Sequence, residues 1–166
     1  MTKPELDLSI EVPGTPEEVW KVIATGEGIG SWFVPAELDE AAGQMLYDFG
    51  SYGKQPATVV ERVPGERIVL QGGGAFPLTD VWTVEASSGD TCTVRLVSTG
   101  FENMEGWDGD FDAFANGWRI FMNNMRLHCT HFAGLAARAI VPSATTAGPN
   151  AAAWKQLTSA FGIADT

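Results

Sequence analysis

The sequence is poor in cations, histidines and cysteines. Ten Lys and Arg stand against 21 Asp and Glu, a formal net charge of −11. Without clustered basic residues it carries no footprint for a nucleic-acid backbone or an anionic membrane surface, and neither is an expected partner. The acidic excess serves solubility. Two cysteines, Cys92 and Cys129, lie far apart in apolar surroundings and are expected as buried thiols rather than a bridge. No run approaches the roughly 18 apolar residues a membrane helix needs. The opening MTKPELDLSIEV has neither an apolar signal core nor a cleavage site, so a cytoplasmic location is expected.

What the chain does have is apolar and aromatic mass. Its 166 residues are 45% apolar and 19% charged, with six Trp and nine Phe. That composition suits one globular domain with a sizeable core, and large aromatics must be buried or used. Residues 5–12, ELDLSIEV, alternate: Leu6, Leu8, Ile10 and Val12 share one face, as in a strand with one wet side. PGTPEEVWKVIAT follows. Thr15 is placed as an N-cap, Pro16 at N1 and Glu18 at N3, a capping box, with Val19, Trp20 and Ile23 on the apolar side of a short helix. Gly26, Gly28 and Gly30 interrupt it before Trp32 and Phe33.

From 36 to 100 the period is two. Strands are expected at 35–39, 44–49, 56–63, 67–72, 79–86 and 91–99, separated by turn signals such as Pro64-Gly65-Glu66 and Ser88-Gly89-Asp90. Short connections make them antiparallel neighbours. Trp82, Val84, Val94 and Leu96 alternate with Thr83, Glu85, Thr93 and Arg95, so one sheet face is covered and the other polar. Gly72-Gly73-Gly74 lacks the Lys-Ser/Thr and helix of a phosphate loop and reads as a strand end.

After 110 the period changes. Phe111, Phe114, Trp118, Phe121, Met125, Cys129 and Phe132 recur at three- and four-residue spacing, with Asn116, Arg119, Asn123, Arg126 and Thr130 opposite. The spacing predicts an amphipathic helix from 111 to about 133, laid across the covered face of the sheet. Its start, DGDFDAFANGWR, suggests a calcium loop. Counted from Asp108, however, the sixth residue is Ala113 and the twelfth Arg119, where such a loop needs Gly and Glu. Asp110 or Asp112 is instead expected to cap the helix, with the acids at its positive end. His128 and His131 in HCTH lie one turn apart but have no third ligand, since they are the only histidines. No metal and no cofactor is expected. There is also no G-x-S-x-G and no activated-cysteine signature, and so no catalytic residue to name. Asp80, Glu61 and Glu102 are acids available for proton transfer, but solvated positions on strand edges and turns are the expectation for all three.

The order strand, two short helices, antiparallel meander, long C-terminal helix resembles the α+β helix-grip fold of the START/Bet v 1-like (SRPBCC) superfamily. Within it the chain is similar to the AHSA1-like (activator of Hsp90 ATPase homologue) family. The stretches carrying the resemblance are PGTPEEVWKVIAT with the following SWF, VVERVPGERIVL, TVRLVSTGF and NGW, within about residues 5–133. The family often has a His in the strand before GF; Ser98 and Thr99 stand there instead, so no role of that His carries over. The resemblance implies a curved sheet wrapped around the long helix and a small apolar ligand held between them. It also leaves two other functions open: a regulatory domain that stimulates an Hsp90-type chaperone ATPase, or a cyclase- or hydrolase-type enzyme using the same cavity.

The residues themselves point to a cavity at Gly117. A glycine inside a helix costs about 1 kcal/mol relative to Ala and lets something approach closely. Phe114, Trp118, Phe121, Met122 and Met125 are expected to line it from the helix. Tyr47, Phe49, Leu70, Trp82 and Leu96 are expected from the sheet side, with Trp32 and Phe33 near the mouth. The helix-grip domain is expected at 1–137. Residues 138–166 form a connector and a short amphipathic helix at 150–161, with Asn150 as cap, Gly162 at C′, and Trp154, Leu157 and Phe161 at helical spacing. NAAAWKQLTS echoes PEEVWKVIAT of the first helix. So short a helix needs a partner surface, on its own domain or on a second copy in a homodimer.

Overall fold

The computed structural model describes residues 5–74, 76–103, 111–137, 140 and 145–163. Seven strands form one antiparallel sheet: β1 (Leu6–Pro13), β2 (Ala36–Asp39), β3 (Gln44–Asp48), β4 (Lys54–Val63), β5 (Arg67–Gly72), β6 (Thr79–Ala86) and β7 (Thr91–Thr99). Their order is β1-β7-β6-β5-β4-β3-β2. β2 to β7 run as a meander of neighbours, and the first strand closes onto the last. β1 pairs with β7 from Leu6 opposite Ser98 to Pro13 opposite Thr91. A register shift between Val59 and Glu61 interrupts the β4–β5 ladder, an irregularity that bends a strand and increases its twist. Helices α1 (Pro16–Ala24) and α2 (Gly26–Gly30) follow β1, and the long α3 (Phe111–His131) packs on the covered face, completing the helix grip.

The local signals act as their chemistry dictates. Thr15 Oγ1 accepts from the Glu18 amide and the Glu18 carboxylate accepts from the Thr15 amide, a complete capping box. The three glycines after α1 do more than interrupt it. Thr25 ends α1 and its hydroxyl accepts from the Gly28 amide, so it caps a second helical turn. A Cβ on Gly28 would stand 2.0 Å from the Lys21 carbonyl, and one on Gly26 would stand 2.5 Å from that of Ala36. Only glycine lets the two helices turn this tightly.

The strands alternate as their sequence does. Leu6 and Val12 from β1, Trp82 and Val84 from β6, and Cys92, Val94 and Leu96 from β7 all enter the core. α3 closes it with Ala115, Met122, Met125 and Cys129, while Asn116, Arg119, Asn123, Arg126 and Thr130 stay exposed. Cys92 and Cys129 are both buried free thiols. Burial raises the Cys129 thiol to about 11. Asp108 and Asp110 lie outside the described residues. Asp112 sits in the first turn of α3, exposed, where its charge complements the helix dipole.

The C-terminal helix α4 (Asn150–Ala160) forms, with two departures from expectation. Pro149 occupies the N-cap and Asn150 is the first helical residue, with no side-chain cap bond. Gly162, at φ 66°, follows the helix in the left-handed conformation as expected. Trp154 is 65% exposed and Phe161 74%, so neither is buried against its own domain. The echo of α1 therefore stops at the sequence: Trp20 is buried in the core and Trp154 faces solvent. Among the described residues no helix is long and apolar enough to cross a membrane.

Candidate functional site

Between the sheet and α3 lies an open cavity of about 350 Å³. One face of α3 supplies Phe114, Gly117, Trp118 and Phe121, spaced i, i+3, i+4 and i+7. The loop after α2 supplies Phe33 and Val34. β3 and the turn beyond it supply Tyr47 and Phe49, and β4 supplies Gln55, Pro56 and Ala57. The end of β5 and the loop to β6 supply Gly72, Gly73, Phe76 and Leu78, and β6 supplies Asp80.

Phe33 organises this wall. Its ring stacks on Trp118 at 5.1 Å between centroids and meets Phe121 edge-on at 4.7 Å. Tyr47 and Phe49 also meet it edge-on, at 6.0 and 5.8 Å. Such offset and edge contacts are worth about 0.5–1.5 kcal/mol each beyond burial, so the wall is built in advance of any ligand. At Gly117 an added Cβ would meet only the Phe121 ring, at 3.9 Å. No packing partner demands glycine there; the position opens onto the cavity. Gly72 differs. A Cβ there would stand 2.2 Å from the Phe76 carbonyl, so the triple-glycine segment lets the β5–β6 loop fold tightly against the rim.

The structure divides the expected lining in two. Phe33, Tyr47, Phe49, Phe114, Gly117, Trp118 and Phe121 stand on the wall. Trp32, Leu70, Trp82, Leu96, Met122 and Met125 do not; they are buried in the packed core behind it. The reason is angular on the helix. Consecutive helical residues point about 100° apart, so Phe121 faces the space and Met122 turns to the core stripe with Met125. For Trp82 and Leu96, partners across β6 and β7, the reason is axial. Trp82 shares the inward face with Asp80 but lies two residues, roughly 7 Å, further along β6, where Trp118 and Trp32 cover it. Trp32 is held in the core, not at the mouth, by its indole N–H donating to the Val22 carbonyl at 3.0 Å.

The polar feature that sequence reasoning missed is Asp80. It is not a solvated strand-edge residue. It sits mid-sheet on the inward face, and its Oδ1 accepts a hydrogen bond from the fully buried Ser98 hydroxyl on β7 at 2.5 Å. Its remaining accessibility is to the cavity, so burial dominates its titration. The carboxyl is pushed up to about 6 by desolvation, against the opposing pull of the Ser98 bond. Tyr47 is raised too, by burial and then by the charge of Asp80. The signal was available in the alternation: Asp80 is in phase with Trp82 and Val84, and Ser98 with Val94 and Leu96. Glu61 is exposed and pairs with Arg67 at 3.4 Å; Glu102 is exposed.

A second cleft, of about 490 Å³, runs between α1–α2 and the end of α3. It is lined in part by Glu18, Lys21 and Glu27. His128, buried here and lowered by desolvation, and Cys129 form part of its floor; His131 is exposed. It is the larger space, and its wall mixes aliphatic side chains, Val19, Val22 and Leu135 among them, with charged and polar ones. It lacks the aromatic enclosure and the half-buried Asp80 of the cavity under α3.

Residues 3–141 match the family described as polyketide cyclase / dehydrase and lipid transport. The chain belongs to that family. Its membership places it in the SRPBCC superfamily, as the sequence motifs implied. No curated protein matches it. Among solved structures, DynU16, a protein of the dynemicin biosynthetic locus, is 18% identical with a TM-score of 0.67. That likeness covers 83% of this chain and 51% of DynU16, so the chain spans about half the length of that relative. The Aha1 dimer from Colwellia psychrerythraea is 15% identical over 79% of this chain and 99% of its own, with a TM-score of 0.64. CalU16 from Micromonospora echinospora is 13% identical over 74% and 72%, at 0.58. At these identities the likenesses show the shared fold. This member of the polyketide cyclase/dehydrase family thus combines a helix-grip scaffold with an aromatic cavity and one half-buried carboxyl on its wall.

Proposed function

We propose that this chain binds a small, largely apolar molecule in the cavity between the sheet and α3. The observation that carries the reading is the unfilled space beside Gly117. A helix interior that gives up propensity for a glycine, with no protein group taking the vacated room, is built around something that comes and goes. The aromatic wall would enclose most of a compact ligand and orient it with few polar groups, as small-molecule sites do. The family description, cyclase/dehydrase and lipid transport, supports an apolar ligand. Titration of the full chain with an apolar fluorescent probe tests the reading: saturable binding in the parent, weakened by Gly117→Leu, is the expected result. A parent that binds no probe overturns it.

A second reading has one observation in its favour. Asp80 and Tyr47 are two ionisable groups on one apolar wall, an arrangement suited to moving protons on a bound substrate in a cyclase-type enzyme. Turnover of a carbonyl-bearing substrate that is lost in Asp80→Asn while ligand binding is kept would favour this reading. The chaperone-regulating alternative gains nothing from the cavity.

A further inference from the structure

The polar atoms of the cavity are few and unevenly distributed. Of the lining residues, Asp80 and Tyr47 are the only ionisable ones; no Lys, Arg or His joins them among the described residues. Asp80 is also asymmetrically bound. Oδ1 accepts from Ser98, while Oδ2 has no partner within the described chain and is not sealed from the cavity. The same holds for the Tyr47 hydroxyl. The elements packed around Asp80 bring no compensating charge. β5 places Leu70 beside it and β7 places Ser98. β3 brings Tyr47, and α3 brings only Phe114, Gly117, Trp118 and Phe121.

We propose that Asp80 is the polar anchor of this cavity and that it selects neutral apolar ligands bearing a carbonyl oxygen over both hydrocarbons and carboxylates. The inference rests on the binding function proposed above and specifies its ligand class. Ser98 holds one oxygen of the acid from behind, which aims the other at the ligand. In its neutral form that second oxygen is a hydroxyl and donates to a carbonyl. Tyr47 offers a second donor to the same region. A hydrocarbon leaves both groups without partners in a space it has emptied of water, which disfavours it. A carboxylate enters a wall without a cation and meets an acid that ionises near neutrality. The raised titration of Asp80 makes the donor form available in mildly acidic solution, where an ordinary surface aspartate would already be ionised.

The experiment uses the full chain and three bicyclic probes of similar size: naphthalene, the ketone 1-tetralone and the carboxylate 1-naphthoate. Binding is followed by Trp fluorescence and by protein NMR at pH 5 and pH 8. At pH 5 the ketone is expected to bind about three- to tenfold more tightly than naphthalene, the span of one net hydrogen bond. That preference disappears by pH 8, where naphthoate binds more weakly than naphthalene. Asp80→Asn, which keeps a donor and cannot ionise, should hold the ketone preference at both pH values. Asp80→Leu should bind naphthalene without any ketone preference. Equal affinities for ketone and hydrocarbon in the parent at pH 5 would overturn the anchor while leaving the cavity intact, as would tight naphthoate binding at pH 8. Failure of all three probes to bind the parent would remove the binding function and the anchor together. Asp80→Asn is nearly isosteric, so its pH profile decides the matter even if Asp80→Leu fails to fold.

Discussion

Ser98, fully buried on β7, donates its hydroxyl to the carboxylate of Asp80 directly opposite it on β6, and this bond joins the packed core to the open cavity. On the core side stand Leu96 and Trp82, two residues along each strand; on the other side is the space under α3. The pair is the only place where the inward face of these two strands carries a charge.

Stability should depend on pH through Asp80. A carboxyl near 6 in the folded chain and near 4 when unfolded holds more protons folded than unfolded between those values. Stability therefore falls as pH rises from about 4 to 6, and the loss persists above. The shift is worth about 1–3 kcal/mol once partial access to solvent is allowed for. Asp80→Asn should lack this component. Chemical denaturation of both proteins at pH 5 and pH 8 measures it, and parallel pH profiles would contradict the burial of the acid.

Ser98→Ala should move the same titration further upward. The Ser98 hydroxyl favours the ionised carboxylate, and removing it leaves desolvation unopposed. NMR titration of the Asp80 carboxyl carbon reads the change directly. A midpoint that falls or stays constant would show that the bond does not stabilise the anion.

Gly117→Leu distinguishes an open space from a filled core. The nearest side-chain atom to an added Cβ is 3.9 Å away, so the new side chain should occupy the cavity and the helix should gain roughly 1 kcal/mol of propensity. Probe binding should weaken while thermal stability is kept or raised. A loss of about 1–3 kcal/mol, the usual penalty of overpacking, would mean that the space is not there.

The two thiols should be inert in the native protein. Cys92 donates to the Gly14 carbonyl at 3.2 Å and both thiols are raised by burial, Cys129 to about 11. Because the thiolate is the reactive form, a disulfide reagent should label neither at neutral pH until denaturant is added. Rapid stoichiometric labelling of the folded chain would contradict their burial.

Removal of residues 145–166 should leave the melting temperature of the remaining domain nearly unchanged. Trp154, Leu157 and Phe161 are exposed along α4, so the helix adds little apolar burial to its own chain. A fall of several degrees, or a change in oligomeric state by light scattering, would show instead that this face is covered in solution.

Much of the architecture was legible because one face of each element is covered. A period of two placed the strands within a residue or two of β2 to β7, and a shift to three and four located α3. The Thr15–Glu18 capping box was readable because both partners lie within one helical turn, where sequence spacing is geometry. Gly117 was legible for the same local reason: a glycine inside a strong helical pattern needs an external explanation.

Tertiary structure decided what depends on contacts far apart in the chain. Periodicity shows that β1 has an inward face but not that its neighbour is β7, some 80 residues on; strand pairing is a non-local choice. The same holds for the cavity. It is a space left between two packed surfaces, so small rotations decide whether Phe121 or Met122 borders it. An acid in phase with Trp82 was visible as a pattern. Only the approach of Ser98 on one side and the open wall on the other made Asp80 a half-buried, half-satisfied carboxyl rather than a solvated one. The exposure of Trp154 was decided the same way: an amphipathic period says which side of a helix seeks cover, and only the assembled chain shows whether cover is present.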